Sequence, residues 1–162
     1  MPFIWRASHG MIVLPGFERE GLEGVANAVS QDGFVVVGDI WRERGVRTGK
    51  AFRWTSSGGI EDLGFLPKRV RTATATGISN DGTVVVGWAG LGPTESGPEA
   101  FRWRLGRGME GLGDLPGDRH SSRAEGVSAD GSVIVGSSFS HRGIEAFLWV
   151  EGQGMQGLGF LP

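Results

Sequence analysis

One short phrase is spelled three times in this chain at a fixed interval. "AVSQDGFVVVG" begins at Ala28, "GISNDGTVVVG" at Gly77 and "GVSADGSVIVG" at Gly126, which sets Asp32, Asp81 and Asp130 at spacings of 49 and 49. A second phrase keeps nearly the same beat: "FIWRASHGMIVLPG", "AFRWTSSGGIEDLGFLP", "AFRWRLGRGMEGLGDLPG" and "AFLWVEGQGMQGLGFLP". Its tryptophans are Trp5, Trp54, Trp103 and Trp149, spaced 49, 49 and 46. Self-similarity at ~20–50 residues marks a repeat architecture, in which each unit buries its apolar face against its neighbours. The chain holds three copies of the first phrase and four of the second, so it is expected to begin and end inside a repeat.

Each unit resolves into four short strands. In the middle one, "TATGIS" leads through Asn80-Asp81-Gly82 into "TVVVGWA", and "EAFRWR" turns at Gly106–Gly108 into "MEGLGDL" before Pro116. An Asp-Gly step between β-branched runs is a hairpin signal, because both residues tolerate positive φ. Proline closes the unit because it cannot donate to a continuing ladder. No stretch carries a sustained 3.6-residue apolar stripe, so the chain reads as an all-β meander. Four-stranded units of ~40–50 residues are the blades of β-propellers, and the turns Ser30-Gln31-Asp32-Gly33, Ser79-Asn80-Asp81-Gly82 and Ser128-Ala129-Asp130-Gly131 resemble those of WD-type propellers. The expected fold is a propeller-like single repeat domain over residues 1–162. A partial repeat covers 1–16, and repeats lie at about 24–67, 73–116 and 122–162. A β-trefoil, also built of three four-stranded units, is the alternative.

The combination of Ala-Phe-Arg-Trp, Leu-Gly-x-Leu-Pro-Gly and Val-Ser-x-Asp-Gly-x-Val-Val-Val-Gly resembles the HAF repeat, a family of bacterial repeats regarded as extracellular. The resemblance covers essentially the whole chain and implies an exported, repetitive, non-catalytic module of the cell envelope or exterior. One position departs from the family: where its histidine would stand, this chain has Lys50, Glu99 and Glu145.

Composition narrows the chemistry. A formal charge of −2 gives the molecule no overall electrostatic footprint for nucleic acid. The 30 glycines exceed the usual ~7% share more than twofold, yet the apolar residues between them are ordered into strands. Without cysteine there is no disulfide or thiolate chemistry. No apolar run is long enough to span a bilayer, and Met1–Pro15 lacks the basic start and apolar stretch of a signal peptide.

No catalytic, metal or cofactor site is expected. Calcium loops require several oxygen ligands close together, whereas each Asp-Gly turn offers one carboxylate. The periodic tryptophans read as packing between units. No nucleophile-elbow pattern surrounds Ser121, Ser122 or Ser140, and "GLGFLP" lacks the strand-to-helix turn and lysine of a phosphate loop. Binding, by contrast, has an expected place. In a meander, successive connections alternate between the two ends of the strands. The Asp-Gly turns and the short turns after the third strands share one end. The longer, variable connections share the other, where rigid scaffolds carry function. The candidate binding residues on that end are Trp41, Arg42, Arg44, Arg47, Arg69, Arg71, Trp88, Arg119, His120, His141 and Arg142, and an acidic glycan or a carboxylate-bearing protein is the ligand class they suit. The enzymatic alternative is a propeller-type lyase or glycoside-cleaving enzyme using His120 or His141 with a loop glutamate. Finally, one strand pair plus three units makes three and a half blades, whose open edges invite another chain. A homo-oligomer, with a ring-completing dimer favoured, is expected.

Overall fold

The computed structural model describes residues 1–18, 22–42, 49–67, 72–90 and 97–161, with Arg42 described by its backbone alone. Among these described residues fourteen strands form in chain order. An opening pair, β1 (Phe3–Arg6) and β2 (Gly10–Val13), is followed by three antiparallel four-stranded sheets whose order is the order of the chain. The first sheet is β3 (Leu22–Val29), β4 (Val35–Arg42), β5 (Lys50–Thr55) and β6 (Gly59–Asp62). The second is β7 (Thr72–Ile78), β8 (Val84–Gly90), β9 (Glu99–Arg104) and β10 (Gly108–Gly113). The third is β11 (Ser122–Val127), β12 (Val133–Ser140), β13 (Gly143–Val150) and β14 (Gly154–Gly157). Among the described residues no helix forms. A trefoil would close strands of its three units into one barrel; here no described strand of one unit pairs with a strand of another.

The sheets meet face to face, and the apolar core lies between them in three clusters. Along β4, Val36 points back toward the opening pair while Val37 points forward to the second sheet. In β8, Val85 points back and Val84 and Val86 point forward. A continuous valine run is what a strand buried on both faces requires, since successive side chains alternate. From the third strand of each sheet the phenylalanine and tryptophan face back: Phe52 with Trp54, Phe101 with Trp103, and Phe147 with Trp149, all buried. Closing each cluster from the preceding unit is an apolar pair three residues apart, Leu14 with Phe17, Leu63 with Leu66, and Leu112 with Leu115. The repeated phrase thus encodes both halves of one interface.

Each innermost strand carries a β-bulge, between Ala26 and Ala28, Ala75 and Gly77, and Ala124 and Gly126. The bulge drives a backbone carbonyl toward the strand beside it, and that explains the glycine ending each valine run. A Cβ on Gly38, Gly87 or Gly136 would run into the carbonyl oxygen of Val25, Thr74 or Arg123 respectively. The bulged residues reach across to the next unit. Asn27 Nδ2 donates to the Ala75 carbonyl at 2.8 Å and Thr76 Oγ1 to that of Ala124 at 2.7 Å.

Candidate functional site

The strand ends differ in kind. At one end, every Asp-Gly turn is locked by the same four hydrogen bonds. Ser30, Ser79 and Ser128 donate their hydroxyls to Asp32, Asp81 and Asp130 at 2.5, 2.7 and 2.5 Å. The carboxylates also accept the backbone N–H of Phe34, Thr83 and Ser132. Each serine hydroxyl in turn accepts the N–H of the first valine, Val35, Val84 or Val133, and the glycine N–H returns to the serine carbonyl. Gly33, Gly82 and Gly131 sit at φ of 74, 72 and 76°, which L side chains rarely adopt. These donors, the Ser128 hydroxyl foremost and then the N–H and hydroxyl of Ser132, pull the Asp130 carboxyl down to about 2. Asp32 and Asp81 are lowered too, chiefly by Ser30 and Ser79. The aspartates are turn locks. Among the described residues no group of three His, Asp or Glu side chains is placed to hold a metal ion.

The turns also link in series. Gln31 N–H donates to the Asn80 carbonyl at 3.1 Å and Asn80 N–H to that of Ala129 at 2.9 Å. Beside them Arg102, buried, bridges Glu110 at 2.7 Å and Glu151 at 3.2 Å, and Arg104 pairs with the same two carboxylates. The charges there are largely neutralised within the molecule.

At the opposite end, the connections of the third repeat all lie within the described residues. Two surface cavities open there. One, of about 220 Å³, is lined by Ser121, Arg123, Phe139 and Ile144 among others. A second, of about 350 Å³, is lined by Pro116, His141, Arg142, Glu145 and Gly157 among others. Three arginines here lie over aromatic rings: Arg119 over Phe139 at 5.3 Å, Arg123 over Trp88 at 4.8 Å and Arg142 over Phe160 at 4.7 Å. A guanidinium held on a ring keeps its edge N–H groups free while losing little further freedom on binding. Carboxylate, sulfate and phosphate suit that fork.

The residues singled out from the sequence fall into three groups. Arg119, His120, His141 and Arg142 lie at this end of the third repeat, two of them on the larger cavity. Trp41 and Trp88 occupy different positions in their units, since Asp39 stands where Trp88 does relative to the bulge glycine. Neither tryptophan is a bare platform. The Trp41 indole N–H donates to Glu23 at 2.7 Å, and Arg123 caps Trp88. Arg44, Arg47, Arg69 and Arg71 lie outside the described residues, as does the Arg42 side chain.

Two groups escaped the sequence reading because their partners are set by how the loops fold back on the sheets and by no local motif. Asp114 Oδ2 lies 3.4 Å from His120 Nδ1, while its Oδ1 is buried without a hydrogen-bond partner. The loop serines prove structural. Ser122 Oγ donates to the Gly113 carbonyl and accepts the Ala100 N–H, and Ser138 accepts the Leu115 N–H. Lys50 and Glu145 brace the outer strand: Lys50 pairs with Asp62, and Glu145 accepts the Gly159 N–H at 2.8 Å.

No protein-family model and no curated protein matches the chain. Among solved structures it is similar to TolB from Acinetobacter baumannii, with a TM-score of 0.60 at 17% identity, over 94% of this chain and 35% of that one. At that identity the likeness concerns fold alone. The chain is an all-β repeat protein with a TolB-like β-propeller as a structural neighbour. It spans about a third of that neighbour's length. Among the described residues, no helix is long and apolar enough to cross a membrane.

Proposed function

We propose that this chain is a non-catalytic binding module of propeller type, related to the HAF repeats, that recognises an acidic glycan or a carboxylate-bearing protein through the loop end of its third repeat. The observation that supports this most is the set of three arginines seated on Phe139, Trp88 and Phe160 around two open cavities. The locked turns at the other end offer no comparable group of uncommitted donors. An extracellular or envelope setting, which the HAF resemblance implies, belongs to the same reading.

Its test is retention on an immobilised acidic polysaccharide at low salt. Arg119→Glu combined with Arg142→Glu should elute at clearly lower salt than the parent while keeping its circular dichroism and melting temperature. Equal retention of the two proteins removes the anion-binding role. A second reading, glycoside cleavage or elimination, draws on His141 and Glu145 lining one cavity and on the Asp114–His120 contact. New reducing ends or unsaturated uronate absorbance on incubation with acidic polysaccharides would favour it over the binding role.

A further inference from the structure

The internal interfaces show what each face of a unit is built to meet, and the chain leaves one such face open at either side. On the back of the opening pair, Trp5 is 65% exposed, although its counterparts Trp54, Trp103 and Trp149 are 5, 4 and 9% exposed. Phe3 and Met11 flank it on the same face, likewise exposed. On the front of the third sheet, Leu158 and Leu161 are 62 and 96% exposed, although every earlier copy of that apolar pair is buried. Val135 lies on the same front, exposed where its counterparts Val37 and Val86 are fully buried. One open face therefore carries the tryptophan half of the repeated interface and the other carries the leucine half.

The third repeat also departs from the other two in a way that selects among possible covers. Earlier units send donors forward into the inner strand and turn of the next. Asn27 and Thr76 reach inner-strand carbonyls, Arg6 reaches the Gly33 carbonyl and Arg53 that of Gly82. At the position of Asn27 and Thr76 the third unit has Glu125, which as a carboxylate has no proton to donate. In place of Arg53 and Arg102 it has Leu148, and in place of Arg104 it has Val150. A front face stripped of forward donors suits a neighbour that has no inner strand or Asp-Gly turn. The opening pair is such a neighbour, because it supplies only third- and fourth-strand positions.

We propose that a second copy of this chain covers the open front: its Phe3–Trp5–Met11 face seats on Leu158, Leu161 and Val135, head to tail. Contacts of this heterologous kind close into a ring if the rotation allows and otherwise extend. With two copies both open faces are covered, giving the dimer that the strand count suggests. The interface reproduces only the outer half of an internal one, so association is concentration-dependent.

Sedimentation velocity of the full chain over a wide concentration range tests this, with two variants. Trp5→Ser removes the tryptophan half, and Leu158→Ser with Leu161→Ser removes the leucine half. These side chains are exposed, so in dilute solution, where the parent is monomeric, both variants should share its melting temperature. The parent's mean mass should rise to at least twice 17.2 kDa, and each variant alone should stay at 17.2 kDa. An equimolar mixture of the two should recover dimers, because each supplies the half the other lacks. A parent that remains monomeric at every concentration overturns the proposal. Association of either variant like the parent, or a mixture that fails to associate, overturns it as well.

Discussion

The two ends of the strands make the most instructive contrast in this molecule. At the Asp-Gly end, three turns are held by identical hydrogen bonds, with their backbones linked one to the next. At the loop end the connections differ in length and charge, and arginines lie on rings with donors facing outward. Both ends are tied to the same stack of sheets. One end repeats the same turn three times; the other also ties the units, Ala73 to Gly49 and Ser122 to Pro98, but through connections that differ in each copy.

The largest expected effect comes from breaking the constant end where it touches a neighbour. A Cβ on Gly82 would lie 2.7 Å from Val35 Cγ2 of the preceding unit, whereas one on Gly33 would meet nothing within 4 Å among the described residues. Both glycines have the same left-handed φ. Gly82→Val should cost about 2–4 kcal/mol, combining backbone strain with overpacking. Gly33→Val should cost only the strain, about 1–2 kcal/mol. Chemical denaturation separates them, and equal losses would mean that the turns do not space the units.

A smaller effect should follow from Asp81→Ala. It leaves the Thr83 N–H without its acceptor and the buried Ser79 hydroxyl without its carboxylate, at about 1–2 kcal/mol. Acid should act on all three turns together. A carboxyl lowered in the folded state stabilises fully above the ordinary unfolded value near ~3.9, and that contribution disappears as pH falls through the folded value. For Asp130 the folded value is about 2, so the turns should weaken between about pH 4 and 2. A melting temperature flat across that window would contradict the turn-lock assignment.

How much of this was legible beforehand depends on how local each device is. The Ser-x-Asp-Gly lock lies within six residues, so the phrase itself spells turn, glycine and register. The leucine pair and the tryptophan were visible as a repeated phrase, but nothing local says that each leucine pair meets the tryptophan of the next unit. The arginine-on-ring contacts pair residues such as Arg123 and Trp88, which adjoin only after two sheets stack. Trp41 and Trp88, both second-strand residues, are not counterparts in their units. The bulge fixes the phase of each second strand, and counted from the glycine beside it the two tryptophans fall at different places.

The smallest effects belong to the loop end and the sheet between. Burial raises the Asp39 carboxyl, partly opposed by the Asn27 side-chain amide that donates to it at 3.1 Å. A raised acid binds more protons folded than unfolded, so its burden on stability is full above the folded value and is relieved as pH falls through it toward the unfolded one. Asp39→Asn keeps an acceptor for Asn27 and should raise the melting temperature slightly at pH 7, with the gain shrinking in mild acid. Charge reversal at Arg119 and Arg142 should shift stability by less than about 0.5 kcal/mol. A large loss there would mean the loop end is structural after all.

The serial link between turns has a further implication. From Gln31 to Asn80 to Ala129 the amide of one unit donates and the carbonyl of the next accepts, and the Asn27 and Thr76 side chains point the same way. At the loop end the Ala73 and Ser122 amides donate the other way, to the Gly49 and Pro98 carbonyls of the preceding unit, so a middle unit meets both neighbours through one repeated set of contacts. In-frame duplication of one 49-residue stretch would create no new kind of junction. Such a protein can lengthen or shorten over evolution by whole units, while its loops diversify independently in each copy.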